Sequence, residues 1–364
     1  MRDDLLVRLA SAYGPRSRSK IARRLGVSNE TVARAFARLE AEGLEPRPDI
    51  RMEMLGLRRF AVFARPDVEG DRQALHSLFN LMGDYAYLEH YQKLDPCDKY
   101  LLIFSIPPGM LRDLREFLGT LKSRSILDAG VPLPLSWVRY HPIRGPWKDV
   151  ASLEPATSGP LAYVPQGEAE IHTGKVSYME LLLLSALQAD PDENLPGLLQ
   201  VLSEWAGAGY EDVARCLGTV SGWSRGLKGA LRFVDSFPVH LSRGEPGAAK
   251  RRRHGWASFT AWWEGLRQEE ILRSAMSSTS IPYLRTDGAC VRSGFYFSVV
   301  SAPSRMIPGY LDFLNENAPE RMNVAVPSHF LNFSLPFPSF SPEEGHWTWK
   351  KERLQALLAT LQTA

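Results

Sequence analysis
The strongest constraint on this chain is that it states its own plan twice. Ile21-Ala22-Arg23-Arg24-Leu25-Gly26 returns as Val213-Ala214-Arg215-Cys216-Leu217-Gly218. Phe104-Ser105-Ile106-Pro107-Pro108 finds a counterpart in Val299-Val300-Ser301-Ala302-Pro303, and each half closes on a Trp-Lys pair, Trp147-Lys148 and Trp349-Lys350. Self-similarity must be recognised before any motif is interpreted, because it fixes the unit that folds. At 364 residues the chain also exceeds what one hydrophobic core usually supports, roughly 250–300 residues. A tandem duplication is the economical reading.

Each unit opens with short helices. Asp3 to Tyr13 carries Leu5, Leu6, Leu9 and Tyr13 at helical spacing, and Gly14-Pro15 stops it. Ser17 is placed to cap a helix from Arg18 to Leu25, and Gly26-Val27 supplies a tight turn. Ser28 then caps a third helix, Asn29 to Glu42, with Val32, Phe36 and Leu39 inward and Gly43 beyond its end. Three helices with a glycine turn before the third form a helix-turn-helix. The exposed positions that remain on the third helix are Asn29, Glu30, Thr31, Arg34 and Arg38.

The rest of each half alternates strands and helices. In the first, strands are expected at Arg59 to Arg65, Tyr87 to Lys93, Lys99 to Ile106 and Leu135 to His141, with helices at Arg72 to Met82 and Pro107 to Lys122. In the second, strands fall at Trp256 to Trp263, Tyr283 to Arg292, Phe295 to Ser301 and Asn323 to Leu335, with helices near Gln268 to Ser277 and Pro308 to Asn317. The order β-α-β-β-α-β is ferredoxin-like. Helices at Tyr178 to Ala189, Pro196 to Ala206 and Trp223 to Val234 would make a second head, and Trp349 to Gln362 a terminal helix. The fold class is therefore α+β: two winged helix-turn-helix domains (1–58 and 177–254), two ferredoxin-like domains (59–145 and 255–340), a Pro/Gly-rich linker (146–176) and a C-terminal helix (341–364).

The residues Ile21-Ala22-Arg23-Arg24-Leu25-Gly26-Val27-Ser28, Thr31-Val32, Arg38-Leu39-Glu40 and Leu55-Gly56-Leu57 resemble the winged head and first effector strand of Lrp/AsnC-type regulators. That resemblance implies an archaeal-type transcription regulator binding double-stranded DNA, with a possible small-molecule effector. Because the family's effector sheets pair in dimers, it also implies an intramolecular pseudo-dimer, possibly assembling further as a homodimer. The family's effector turn corresponds here to Asp95-Pro96-Cys97-Asp98-Lys99 and Ser293-Gly294, and Asp98 reads better as a turn residue than as a ligand contact.

Charge agrees with a polyanionic partner for the first head. The chain carries a formal charge of +2, yet Arg16, Arg18, Lys20, Arg23, Arg24, Arg34 and Arg38 cluster around a single acid, Glu30. Candidate DNA contacts are Ser17, Arg18, Ser28, Asn29, Glu30, Thr31, Arg34 and Arg38 in the first half, and Arg225, Lys228, Arg251 and Arg252 in the second. Lys250 to Arg253, and Arg47, Arg51, Arg58 and Arg59, occupy the two expected wings.

Enzymatic signatures are sparse. No phosphate-binding loop, nucleophile elbow, zinc-protease or dinucleotide fingerprint occurs, and the eight histidines lack metal-ligand spacing. The expectation is a non-enzyme with no cofactor and no metal. Siroheme decarboxylases resemble the same winged-helix plus ferredoxin-like plan, however, and would need cationic or imidazole groups against tetrapyrrole carboxylates. His90, Arg139, His141 and Arg144 are the candidates for that alternative. A protein-binding adaptor on the same fold is a further alternative. Three scattered cysteines (Cys97, Cys216, Cys290) and the lack of an apolar span or signal core point to a soluble, cytoplasmic protein without a membrane partner.

Overall fold
The computed structural model describes residues 3–15, 17–41, 44–66, 72–141, 153, 176–189, 215, 220–237, 239–241, 256–319, 321–333 and 335–361. The first head contains α1 (Asp3–Tyr13), α2 (Arg18–Leu25) and α3 (Asn29–Ala41). Its core is built from Leu6, Val7, Ala10, Ile21, Ala22, Val32, Ala35, Phe36 and Leu39; on α2 and α3 these include the positions expected from periodicity, whereas on α1 the buried face is shifted, so that Leu9 is only partly buried and Leu5 and Tyr13 are exposed. Gly26 sits at φ +67°, a left-handed C-cap that costs glycine least. Ser28 Oγ accepts from the Thr31 N–H at 3.1 Å, the expected cap of α3. Ser17 differs: no side-chain cap bond forms at its helix.

The first ferredoxin-like module comprises β3 (Arg58–Pro66), α4 (Arg72–Tyr85), β4 (Leu88–Asp95), β5 (Lys99–Ile106), α5 (Leu111–Ser123) and β6 (Leu127–Ala129). The second comprises β11 (Trp256–Trp263), α8 (Gln268–Ser280), β12 (Leu284–Cys290), β13 (Phe295–Pro303), α9 (Ile307–Asn317) and β14 (Asn323–Asn332). Both have the same strand order, and they merge edge to edge into one 10-stranded sheet, β6-β3-β5-β4-β14-β11-β13-β12-β8, in which β8 is Trp137–Tyr140 and the tenth strand, β7 (Leu133–Pro134), lies off this path beside β3. The seam is β4 against β14, antiparallel, with His90 opposite Asn332.

One expected strand changes partner. Leu135 to His141 was assigned to the first module, but β8 (Trp137–Tyr140) pairs with β12 of the second, Arg139 facing Asp287. Just before it, β7 (Leu133–Pro134) pairs with β3. Leu135 N–H donates to Arg59 O and Ser136 N–H to Ala289 O. This short segment therefore bonds to β3 at one end of the sheet and to β12 at the other, curling the sheet around a shared interior. Phe63, Trp262, Phe295 and Phe297 meet there, with Phe63 edge-on to Phe295 at 5.6 Å.

The heads interlock as well. β1 (Leu44–Pro46) pairs with β10 (Val239–Leu241), and β2 (Asp49–Ile50) with β9 (Val234–Ser236), so wing strands of one half pair with strands of the other. In the second head, α6 (Tyr178–Ala189) buries Leu181, Leu182, Leu183 and Leu184 alike. A helix apolar on every side must be enclosed, and α6 joins the first module's core together with Ala230 and Phe233. It packs against α7 (Val220–Leu231), whose Gly229 leaves room for Glu180; a Cβ there would stand 2.7 Å from Glu180 Oε1. The terminal helix α10 (Lys351–Leu361) inserts Leu354 and Leu358 into that same core. Expected features at 142–152, 154–175 and 190–214, including the linker and one helix of the second head, lie outside the described residues.

Candidate active site between the two modules
Two strand irregularities create the site. Along β4 the register against β5 slips between Leu88 and His90, and along β12 the register against β13 slips between Leu284 and Thr286. A regular strand sends consecutive side chains to opposite faces, whereas a bulge re-aims one of them. As a result Glu89 and His90 both line one cavity, and so do Arg285 and Thr286. The cavity, of about 370 Å³, lies between the modules and is roofed by the strand-crossed wings through Arg47, Asp49 and Ile50. That volume falls within the range of ligand sites, roughly 300–1,000 Å³.

On the first module's side, Arg59 and Glu89 form a forked ion pair, with Nε to Oε2 at 2.9 Å and Nη2 to Oε1 at 3.1 Å. Arg59 also donates to the Ile50 carbonyl at 3.2 Å. Glu89 further accepts from Tyr140 at 3.2 Å and from Ser105. Burial works against the Glu89 carboxylate, but the Arg59 charge and these hydrogen bonds outweigh it and hold its pKa below the ordinary range. Burial raises Tyr140 well above the usual phenol value, with the Glu89 charge adding to it, so Tyr140 remains a donor.

On the second module's side, Arg285 is 3% exposed, and its Nε and Nη1 have no hydrogen-bond partner. Burial, with the charge of Arg47 added, lowers its pKa to about 9. A buried cation without a counter-charge costs several kcal/mol (about 3–5 when a partner is stripped away). Such an arrangement persists where something outside the chain supplies the missing anion.

Two further groups can exchange protons. Asp49 is raised to about 7, first by burial and then by neighbouring acids including Asp235 and Glu89, against the opposing pull of Arg59. His90 is lowered by burial, and its Nδ1 donates to Asn332 Oδ1 at 2.6 Å, which leaves the lone pair on Nε2. Near neutral pH the cavity thus holds three guanidinium groups, one firmly ionised carboxylate, one half-protonated carboxyl and a neutral imidazole. Its chemistry fits an anionic ligand and proton transfer.

The residues expected from sequence are distributed unevenly. His90 reaches the cavity. Arg139 and His141 do not; both are bound by the buried Asp287, His141 Nε2 at 2.8 Å, with Tyr296 donating to the same carboxylate. Arg144 lies outside the described residues, as do Arg251 and Arg252. The first wing also departs from expectation: Arg47 and Arg59 line the cavity, and Arg51 pairs with Asp235 at 3.3 Å. Asp98 adopts φ +47° and meets Lys93 at 3.2 Å, as a turn residue does. On α3, Asn29, Glu30, Arg34 and Arg38 are exposed and Thr31 half-buried; on α7, Arg225 and Lys228 are exposed. Asp49, Glu89 and Arg285 escaped sequence reasoning. The usable signal was Tyr87-Leu88-Glu89 against Tyr283-Leu284-Arg285, a repeated Tyr-Leu followed by opposite charges inside a strand.

Neither family models nor curated proteins match the sequence. Solved structures do share its fold. A siroheme decarboxylase, NirDL, aligns over 99% of both chains at 11% identity and a TM-score of 0.48. The same enzyme in complex with an iron-uroporphyrin III analogue aligns over 93% of both chains at 13% identity and 0.45. A third structure, PH0061, covers 39% of this chain and 95% of its own at 15% identity and 0.28. Among the described residues the α+β class is carried by the chain's own elements, a helix-turn-helix head and two ferredoxin-like modules sharing one sheet. The expectation of a non-enzyme rests on missing motifs alone and does not stand, since NirDL, a solved structure aligned over 99% of both chains, is an enzyme.

Proposed function
We propose that the cavity is an active site for a carboxylate-bearing substrate, and that a tetrapyrrole carboxylate, as handled by a siroheme decarboxylase, is the substrate class. The observation that carries the reading is Arg285, buried on the cavity wall with its Nε and Nη1 nitrogens unanswered. A guanidinium binds carboxylates through a rigid fork. Placed on a leaving carboxylate it would stabilise the ground state and retard the reaction. Arg285 and Arg47 therefore anchor a neighbouring carboxylate of a polycarboxylate substrate. Breaking the carbon–carbon bond of the reacting group releases CO2 and leaves its electron pair on carbon, and a proton must then be delivered there. Asp49, half-protonated near pH 7, is the donor, and proton uptake from solvent restores it.

The test is an absorption titration of the protein with iron-uroporphyrin III, followed by anaerobic incubation with siroheme and measurement of released CO2. Binding together with CO2 release, both lost in Arg285→Leu, supports the reading. No spectral change and no CO2 would refute it.

A second reading is supported by a separate observation: Asn29, Glu30, Arg34 and Arg38 present an outward face on α3. On this reading the first head contacts double-stranded DNA, with Ser17, Arg18 and Arg38 placed for phosphates and Arg225 and Lys228 adding contacts from α7. Fluorescence anisotropy across a salt series tests it. Arg34→Ala should cost about 1–3 kcal/mol on a preferred duplex if Arg34 reads a base, and absence of binding at low salt retires the idea.

A further inference from the structure
The two ferredoxin-like modules place Glu89 and Arg285 at the same structural position. Ser105 N–H donates to Tyr87 O in one module, and Ser301 N–H donates to Tyr283 O in the other. In each, the bulge follows two residues after that tyrosine. On the adjoining strand Arg59 stands opposite Ser105, while Ser258 stands opposite Ser301. The equivalent sets are thus Glu89, Arg59 and Ser105 against Arg285, Ser258 and Ser301, and both open on the one cavity except that Ser105 contributes from beneath Glu89.

Their chemistry has diverged. In the first set a guanidinium is already matched by the carboxylate of Glu89. In the second the guanidinium has moved to the bulge position, and the strand opposite offers only the Ser258 and Ser301 hydroxyls, 2.7 Å apart. Nothing among the described residues supplies a carboxylate to Arg285 Nε or Nη1.

The geometry points to a single anion subsite per chain, at Arg285, with the equivalent subsite in the first module permanently filled by the protein's own Glu89 carboxylate. This rests on the reading that the cavity takes a carboxylate, and deepens it. A cavity related by a pseudo-twofold would accept a ligand in either of two orientations. Closing one subsite leaves one: the ligand's anchoring carboxylate lies toward the second module, and Arg59 stays unavailable to it.

The experiment measures thermal unfolding of the full chain at pH 6 in rising sodium acetate, against sodium chloride at equal ionic strength. A ligand that binds only the native state raises the midpoint by mass action. Wild type should show a saturating rise specific to acetate. Arg285→Gln should show none, and Arg285→Lys should retain a weaker one. Glu89→Gln uncovers Arg59, so its acetate response should exceed that of wild type and saturate as two sites. An acetate response in Arg285→Gln equal to wild type overturns the proposal, as does a Glu89→Gln response no larger than wild type. If Glu89→Gln is insoluble, the Arg285 pair decides alone. Acetate replaces the tetrapyrrole here, so an Arg285-dependent response without CO2 release would sink the enzymatic reading and leave the subsite standing.

Discussion
Replacing Arg285 by methionine should make the ligand-free protein more stable, although it removes a residue from the site. The guanidinium is buried, and burial lowers its pKa from the ordinary guanidinium range to about 9. At about 1.4 kcal/mol per unit, a displacement of that size corresponds to roughly 5 kcal/mol of penalty for holding the charge inside. The folded-state value lies below the unfolded one, so the penalty is fully present at pH 7, where both states are charged. It would be relieved only as the pH climbs through 9 toward the ordinary guanidinium range. Methionine retains much of the aliphatic volume and carries no charge. Part of the nominal gain is lost because the methionine must repack beside Thr286 and Ser258, so a net stabilisation of about 1–4 kcal/mol is expected. Urea unfolding at pH 7 without carboxylate buffers, followed by circular dichroism, measures it. A higher midpoint with unchanged slope is the expected outcome. If Arg285→Met is instead destabilised by more than about 1 kcal/mol, the guanidinium has partners that answer it, and the argument from an unmatched charge falls.

Three other perturbations follow from the same packing. Glu89→Ala strips the buried Arg59 of its forked partner and should cost about 3–5 kcal/mol in the same urea assay; a loss under about 1 kcal/mol would mean that water reaches the pair. Asp49 has a folded-state pKa raised to about 7, so its contribution is fully present below pH 4 and is lost as pH rises through 7. Asp49→Asn should therefore flatten the stability decline between pH 4 and 7 and abolish any rate inflection near 7; an unchanged pH profile assigns that step to another group. Gly288→Ala would set a Cβ 2.6 Å from the Phe297 ring and 3.1 Å from Trp137 O. The clash falls where β8 seals the sheet, and should cost about 1–3 kcal/mol by calorimetry; tolerance without loss would show that β8 yields freely.

The repeat made the modules legible in advance. Both ferredoxin-like units occur in the expected order except that Leu127–Ala129, and not Leu135 to His141, closes the first, and Trp256–Trp263 and Tyr178–Ala189 have the expected limits. Periodicity suffices there because a helix or strand with one buried face imprints that face on nearby residues. Leu135 to His141 was correctly read as extended, but its partner was not, since any alternating strand can pair with any free edge. The wing arginines misled for a related reason. A basic loop is solvated unless tertiary structure folds it inward, and the crossing of β1 with β10 and β2 with β9 does that for Arg47 and Arg59.

Sequence by itself determined the duplication, the α+β class, the three helices of the first head and the buried faces of the first module's helices, all carried by contacts between residues near one another or by patterns repeated along the chain. Tertiary structure alone decided the site. Glu89 and Arg285 are far apart in sequence, each a single charge inside a strand, and neither has meaning until the modules share a sheet. The two bulges turn these side chains into one cavity, burial strips both of water, and only then does one charge find a partner while the other is left without one. Desolvation and pairing are properties of the assembled interior, and local sequence carries no record of either.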